Sequence, residues 1–309
     1  MARNPHLLDL FDSSAEDICR IFEITAALKA QWQRGIREPL LPGRVLALLF
    51  EKPSLRTRVS FETAMSHLGG NAMFLGDEVG WGTREATADF ARVMSQYVDL
   101  IVCRANAHSK VLELAEYSEC PVVNGLTDAA HPCQALADLF TLLELRGSLD
   151  GAKLAYVGDA NNVARSLAVA CGKLGVTMSI ASPAAYAFPQ TFLEQLGREI
   201  PQLRLEVRVD PRQAVRDADA IYTDVWTSMG QESERSARAA ALASYQVNNA
   251  LLQHAPRHAK FLHCLPARRG EEVSDEVIDG PNSAVIQQAG NRLHLQKGLI
   301  AWLLDAPST

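Results

Sequence analysis

The pattern that most limits what this chain can become is a recurrence of short apolar runs, each followed by a segment with apolar residues at helical spacing. Val45-Leu46-Ala47-Leu48-Leu49, residues 72–75, Leu100-Ile101-Val102-Cys103, Pro121-Val122-Val123, residues 153–157, 177–181 and 220–223, and Phe261-Leu262-His263 are such runs. Runs this short and unbroken fit strands covered on both faces, and the interleaved helices supply the cover. The pattern therefore predicts an α/β fold built on parallel sheet. Only Leu203, Leu205, Val207 and Val209 alternate with polar residues, as in a half-exposed strand. In open α/β sheets ligands sit at the carboxyl ends of the strands, so the residues just past each run are the first candidates for function.

A chain of 309 residues is too long for most single cores and suggests two domains. Asp150-Gly151 punctuates the chain after a long helical stretch, and the expected division is 1–147 and 148–288. The terminal segment, 289–309, carries an amphipathic helix marked by Leu295, Leu299, Trp302 and Leu303. Near the start, Ser13 and Glu16 have capping-box spacing ahead of Ile18, Ile21, Phe22 and Leu28.

A net charge of −6 with pI about 5.8 offers no basic field to nucleic acid or an anionic membrane surface. The opening residues lack a hydrophobic signal region, and no apolar run approaches a membrane span. The six cysteines are scattered without a Cys-x2-Cys pair, which argues against structural zinc and a disulfide framework. Pro256 between His254 and His258 spoils the helix a metal pair would need. The expectation is a cytoplasmic protein with no metal. Gly158-Asp159-Ala160-Asn161-Asn162 follows a strand, but the Gly-x-Gly-x-x-Gly fingerprint is absent and the next strand ends in Ser182-Pro183 without an acidic ribose ligand, so NAD is not expected.

Four stretches carry chemistry. Ser54-Leu55-Arg56-Thr57-Arg58 lies where a strand delivers a polar turn onto a helix start. First-turn amides and the macrodipole favour an anion there, and hydroxyls and guanidinium groups add donors suited to phosphate. Arg104 follows the next strand. His131-Pro132-Cys133-Gln134 opens a helix, with His131 and Gln134 three apart and so on one side of it. Asp224, at a strand end, leads into Val225-Trp226-Thr227-Ser228-Met229-Gly230, where a carboxylate can hold an ammonium group. Phe261-Leu262-His263-Cys264-Leu265-Pro266 brings a thiol to another strand end. Gly76 to Glu85, with Trp81 and Arg84, reads as a glycine-pivoted loop.

These motifs, in this order, resemble the aspartate/ornithine carbamoyltransferase family over nearly the whole chain. Ser54-Leu55-Arg56-Thr57-Arg58 is similar to its carbamoyl-phosphate signature and His131-Pro132-Cys133-Gln134 to its second shared motif. The Asp224 to Gly230 segment and His263-Cys264-Leu265-Pro266 resemble the segments that mark the ornithine branch. The resemblance implies two doubly wound parallel-sheet domains with an interdomain cleft, and a C-terminal helix returning to the first domain. It implies transfer of the carbamoyl group of carbamoyl phosphate to the side-chain amine of L-ornithine, with no metal or organic cofactor. By matching position, Ser54, Leu55, Arg56, Thr57, Arg104, His131 and Gln134 bind carbamoyl phosphate, with Arg292 on the other side of the cleft. Asn162, Asp224, Ser228 and Met229 contact ornithine, and Cys264 and Leu265 lie where both substrates meet. Cys264, Arg104, His131 and Arg56 are the expected catalytic groups.

The family is commonly a homotrimer or a multiple of trimers whose phosphate site borrows from a neighbouring subunit, and Arg84 falls in the corresponding loop. Leu55 stands where the family usually has Thr, so only its backbone is expected to bind. Arg268-Arg269 are placed to greet a second substrate carboxylate. Rival readings are an aspartate carbamoyltransferase, an enzyme acting on acetylornithine, or a catalytically silent binding subunit.

Overall fold

The computed structural model describes residues 6–227 and 232–306. In it the apolar runs form two parallel sheets. The first comprises β1 (Val45–Phe50), β2 (Asn71–Leu75), β3 (Leu100–Arg104) and β4 (Val122–Leu126), in the order β2-β1-β3-β4. The second comprises β5 (Lys153–Val157), β6 (Thr177–Ala181), β7 (Leu205–Arg208), β8 (Ala220–Thr223) and β9 (Lys260–His263), in the order β7-β6-β5-β8-β9. Each order reverses at its first strand, which gives both sheets a switch point where strand ends open a crevice.

The helices among the described residues begin with α1 (Ala15–Gln33), α2 (Leu55–His67), α3 (Thr87–Met94), α4 (His108–Tyr117) and α5 (Pro132–Arg146). They continue with α6 (Asn162–Lys173), α7 (Gln190–Glu199), α8 (Pro211–Val215), α9 (Arg235–Leu242), α10 (Asn249–Leu252), α11 (Asp275–Ile278) and α12 (Val285–Leu303). The chain parts into two compact units: Met1–Ala137 with Asn291–Thr309, and Asp138–Gly290. The later turns of α12 therefore belong with the first sheet.

The cap of α1 sits one residue beyond the expected one. Ser14 Oγ accepts from the Asp17 amide at 3.0 Å, and the Asp17 carboxylate accepts from the Ser14 amide at 3.4 Å. Ser13/Glu16 and Ser14/Asp17 have the same spacing; the bend through residues 10–13 decides between them.

Packing in the first unit is close where α12 meets α1. A Cβ on Gly298 would collide with Thr25, reaching its backbone nitrogen at 2.9 Å, so a larger residue there would force the helices apart. Lys297 Nζ donates to Leu28 O at 3.1 Å, and Lys29 Nζ donates to Asn291 Oδ1 at 2.6 Å. These contacts fix the rotation of α12 and so the direction of Arg292. In the second unit Ala155, Val157, Ile221, Phe261, Val273 and Val277 form a core under the sheet.

Candidate active site

In the first unit, β1 ends at Phe50 in register with Arg104 on β3. The Glu51 amide donates to Arg104 O at 2.9 Å, and Glu51 Oε2 accepts from the Asn106 amide at 2.7 Å; the same carboxylate also pairs with Lys110. The turn before α2 is thereby tied to the end of β3. Ser54 is the N-cap of α2, but its side chain caps no amide; Ser54 Oγ donates instead to Thr57 Oγ1 at 3.0 Å. No side chain of the cap competes for the first-turn amides, which is the arrangement of an anion-accepting helix start. Gly125 on β4 packs closely on β3, where a Cβ would stand 3.2 Å from Val102 Cγ1 and 3.3 Å from Cys103 O, with Thr57 Cγ2 at an ordinary contact distance of 3.5 Å.

Arg292 converges on the same point. One guanidinium nitrogen donates to Gln134 Oε1 at 2.9 Å and the other to Thr57 Oγ1 at 3.1 Å. The sequence expectation set Arg292 across a cleft from the other carbamoyl-phosphate residues. It is instead bonded to two of them, because the later part of α12 lies within the first unit. Thr57, Arg104, His131, Gln134 and Arg292 are all buried. Burial first, then the positive charges of Arg292 and Arg104, hold the His131 imidazole well below its usual range, so it is neutral near pH 7.

Arg56 is half-buried beside this group and makes no ion pair or hydrogen bond through its guanidinium among the described residues. Leu55 is 75% exposed, in keeping with a backbone role alone. Arg84 is exposed in the loop after β2, where its amide donates to Gly80 O at 2.9 Å and Trp81 is buried beside Phe90, with Lys110 over its ring.

The second unit gathers a different chemistry. Asp224, just past β8, is buried. Its Oδ1 accepts from Cys264 Sγ at 3.0 Å and from the Val225 amide at 2.8 Å, and its Oδ2 accepts from Asn161 Nδ2 at 2.7 Å. Burial first, then the Asp224 carboxylate, push the Cys264 thiol well above its usual range, so the thiol keeps its proton. Asn162, the expected ornithine contact, is the first residue of α6 and half-buried. Ser228 and Met229 lie outside the described residues.

Cys264 and Leu265 are held from behind by His263. Its Nε2 bonds Glu272 Oε1 at 3.1 Å, its Nδ1 accepts from the Leu265 amide at 2.9 Å, and its amide donates to Gln288 Oε1 at 2.8 Å. Leu265 has φ 56, a left-handed conformation that a leucine adopts only when its surroundings impose it. The imidazole strut supplies that imposition.

Asp224, His263 and Cys264 bring one ligand atom each within 4.8 Å of one another. That is metal-site spacing, but both imidazole nitrogens are already committed, which leaves no lone pair for a cation. Of the two arginines expected to meet a second carboxylate, Arg269 is bonded to Asp275 and Asp279, and Arg268 faces Glu271 at 3.7 Å.

Sequence reasoning passed over Asn161, Glu272 and Gln288. Asn161 carried a legible signal, an Asn directly before a helix. It does cap α6, accepting from the Val163 amide at 2.9 Å, while its amide group reaches Asp224.

Comparison with known proteins also divides the chain in two, with the break after α5 and the second family model running on through α12. Residues 5–144 match the model for the aspartate/ornithine carbamoyltransferase carbamoyl-P binding domain, and residues 150–303 match that for the Asp/Orn binding domain. The chain is 52% identical over 301 residues to the ornithine carbamoyltransferase of Bacillus subtilis, covering 96% of this chain and 93% of that one. It is 50% identical over 301 residues to the ornithine carbamoyltransferase of Anoxybacillus flavithermus, covering 96% of each. The solved ornithine carbamoyltransferase from Pyrococcus furiosus superposes with a TM-score of 0.94 at 47% identity, covering 98% of both chains. With both family models matched in order and half the residues identical across nearly the full length, the chain belongs to the aspartate/ornithine carbamoyltransferase family.

Proposed function

We propose that this chain is an ornithine carbamoyltransferase of arginine metabolism: the side-chain amine of L-ornithine attacks carbamoyl phosphate, giving L-citrulline and phosphate. The observation that carries the reading is the joining of Arg292 to Thr57 and Gln134 beside a neutral His131, at a helix start whose capping serine leaves its amides open. Among the described residues that cluster contains donors and no carboxylate, as a doubly charged acyl phosphate requires. The second unit offers the complement, a carboxylate with a protonated thiol, suited to an amino acid's ammonium group.

In this reading Ser54, Arg56, Thr57 and the backbone at Leu55 grip the phosphate, and Arg104, His131, Gln134 and Arg292 hold the carbamoyl group. As nitrogen adds, the carbamoyl oxygen gains negative charge, and donors already in place stabilise it without reorganising. A neutral His131 gives one such hydrogen bond without needing to gain a proton first. The bond from carbon to the bridging oxygen then breaks, and the charge passes to a phosphate still held by guanidinium groups and the helix start.

On the acceptor side, Asp224 with Asn162, Ser228 and Met229 holds ornithine, and Cys264 and Leu265 orient the reacting amine. Cys264 retains its proton, so it orients the amine and does not act as the base that deprotonates it. The reading calls for no metal or organic cofactor. It extends to a homotrimer, or a multiple of trimers, in which Arg84 reaches a neighbour's phosphate site. It also extends to work in the cytoplasm, which the six free cysteines favour.

Phosphate release from carbamoyl phosphate, measured with ornithine, aspartate, acetylornithine or putrescine supplied singly, tests the reading. Release only with ornithine is expected. Release with aspartate alone, or with none of the four, would assign the site to another acceptor or to a silent binder.

A further inference from the structure

Beneath the Asp224 and Cys264 pair lies a group that the reaction as described does not use. Tyr222 on β8 is fully buried and in register with Tyr156 on β5 and Leu262 on β9. Side chains two apart on a strand share a face, so Tyr222 lies on the same side of the sheet as Asp224, and Cys264 stands two residues past Leu262 on the neighbouring strand. The Tyr156 and Tyr222 rings stack with centroids 5.6 Å apart at 15°.

Their hydroxyls have different fates. Tyr156 Oη donates to Asn161 Oδ1 at 3.3 Å. The Tyr222 hydroxyl is buried and completes no hydrogen bond of ordinary geometry, and its influence on the Cys264 thiol runs against the burial and the Asp224 charge that push that thiol up. A buried phenol left unpaired is costly, and Cys264 is the polar side chain two residues past its register partner Leu262.

We propose that Tyr222 is a positioning residue whose hydroxyl donates to Cys264 Sγ, fixing the sulfur with its own proton on Asp224 and a lone pair turned toward the carbamoyl acceptor. The proposal rests on the carbamoyltransferase reading for its role in turnover, but not for its effect on the thiol. Cys264 then has three defined directions: donation to Asp224, acceptance from Tyr222, and one remaining lone pair. No proton changes place. Burial keeps the phenol protonated as a donor, and its hydrogen bond opposes the burial and the Asp224 charge that make the thiol less acidic.

Tyr222→Phe removes the hydroxyl and little else. In the free full-length protein, alkylation of Cys264 by iodoacetamide, followed by peptide mass mapping to separate it from exposed Cys19, should slow roughly three- to tenfold at a given pH, as for loss of one neutral hydrogen bond. Its pH profile should move upward. In turnover, kcat with ornithine should fall by a similar factor while the KM for carbamoyl phosphate is unchanged. Alkylation and turnover both at the wild-type rate would overturn the proposal. An alkylation shift without any turnover in the wild-type protein would keep Tyr222's action on the thiol and remove the functional reading instead. If Tyr222→Phe does not fold, wild-type chain grown with 3-fluorotyrosine, a stronger donor of the same shape, should alkylate faster at Cys264; an unchanged rate would overturn the proposal.

Discussion

The Cys264 thiol donates a hydrogen bond to Asp224 Oδ1 at 3.0 Å, and that single bond sets what each residue can do in catalysis. The carboxylate also accepts from Asn161 and Val225, which fixes the orientation in which it would hold a substrate ammonium. The thiol, pushed up by burial and by that carboxylate, is a fixed dipole, not a thiolate. Cys264→Ala should therefore lower kcat with ornithine by roughly ten- to a hundredfold, the range for a bond to a charged group, while the melting temperature changes little. Steady-state kinetics and thermal melts check both halves; a wild-type rate would make the thiol mere packing.

Arg56 differs from its neighbours in having a half-buried guanidinium that makes no hydrogen bond or ion pair among the described residues, beside the open start of α2. Arg56→Ala should weaken carbamoyl phosphate binding by about 1–3 kcal/mol, as for a charge-assisted contact. Calorimetric titration reads this directly. Unchanged affinity would remove Arg56 from the site.

His131 makes a pH-dependent contribution of definite sign. Its pKa in the folded chain lies well below the ordinary 6.5, so the unfolded chain takes up the proton first as pH falls. Its contribution to stability is complete above 6.5 and is lost below it, by up to about 1.4 kcal/mol per pH unit. Denaturant melts of wild type and His131→Gln between pH 8 and pH 5, values chosen to bracket that transition, should show the wild type losing ground as pH drops. Parallel curves would contradict a buried neutral imidazole.

Lys297 is only 3% exposed and donates to Leu28 O, with no carboxylate partner among the described residues. Burial first, and Arg37 second, bring it down from 10.5 to about 8. The unfolded chain keeps this proton more tightly, so stability present at high pH is lost as pH falls from 10.5 to 8, and the full penalty stands at neutral pH. Lys297→Met, similar in length and apolar, should stabilise the chain at pH 7 by about 1–3 kcal/mol, with the gain shrinking in alkaline buffer. A loss of stability at pH 7 would show that the bond to Leu28 outweighs the buried charge.

What could be read from the amino acids alone was the chemistry that is local in the chain. The strand runs, the turn at Ser54 and the proline-led start of α5 all depend on neighbours a few residues away, and each reappears in the fold. Contacts that are distant in sequence were not legible. Arg292 joins Thr57 and Gln134 because Gly298 lets α12 lie close on α1, and no motif near Arg292 encodes that approach. His263 reads as part of an apolar strand, and only Glu272 and the Leu265 amide reveal it as a strut. Arg268 and Arg269 looked available because their acidic partners lie on the following loop and α11 side of the chain, where charge alone does not announce pairing.

The central claim is that this chain moves a carbamoyl group onto ornithine. Carbamoyl phosphate labelled at its carbamoyl carbon, mixed with the purified protein and L-ornithine and followed by carbon NMR, tests it most directly. The account predicts that the label moves into the ureido carbon of citrulline, with one phosphate released for each citrulline formed. Label lost as free carbamate or cyanate at the rate seen without protein, with no citrulline signal, would contradict it.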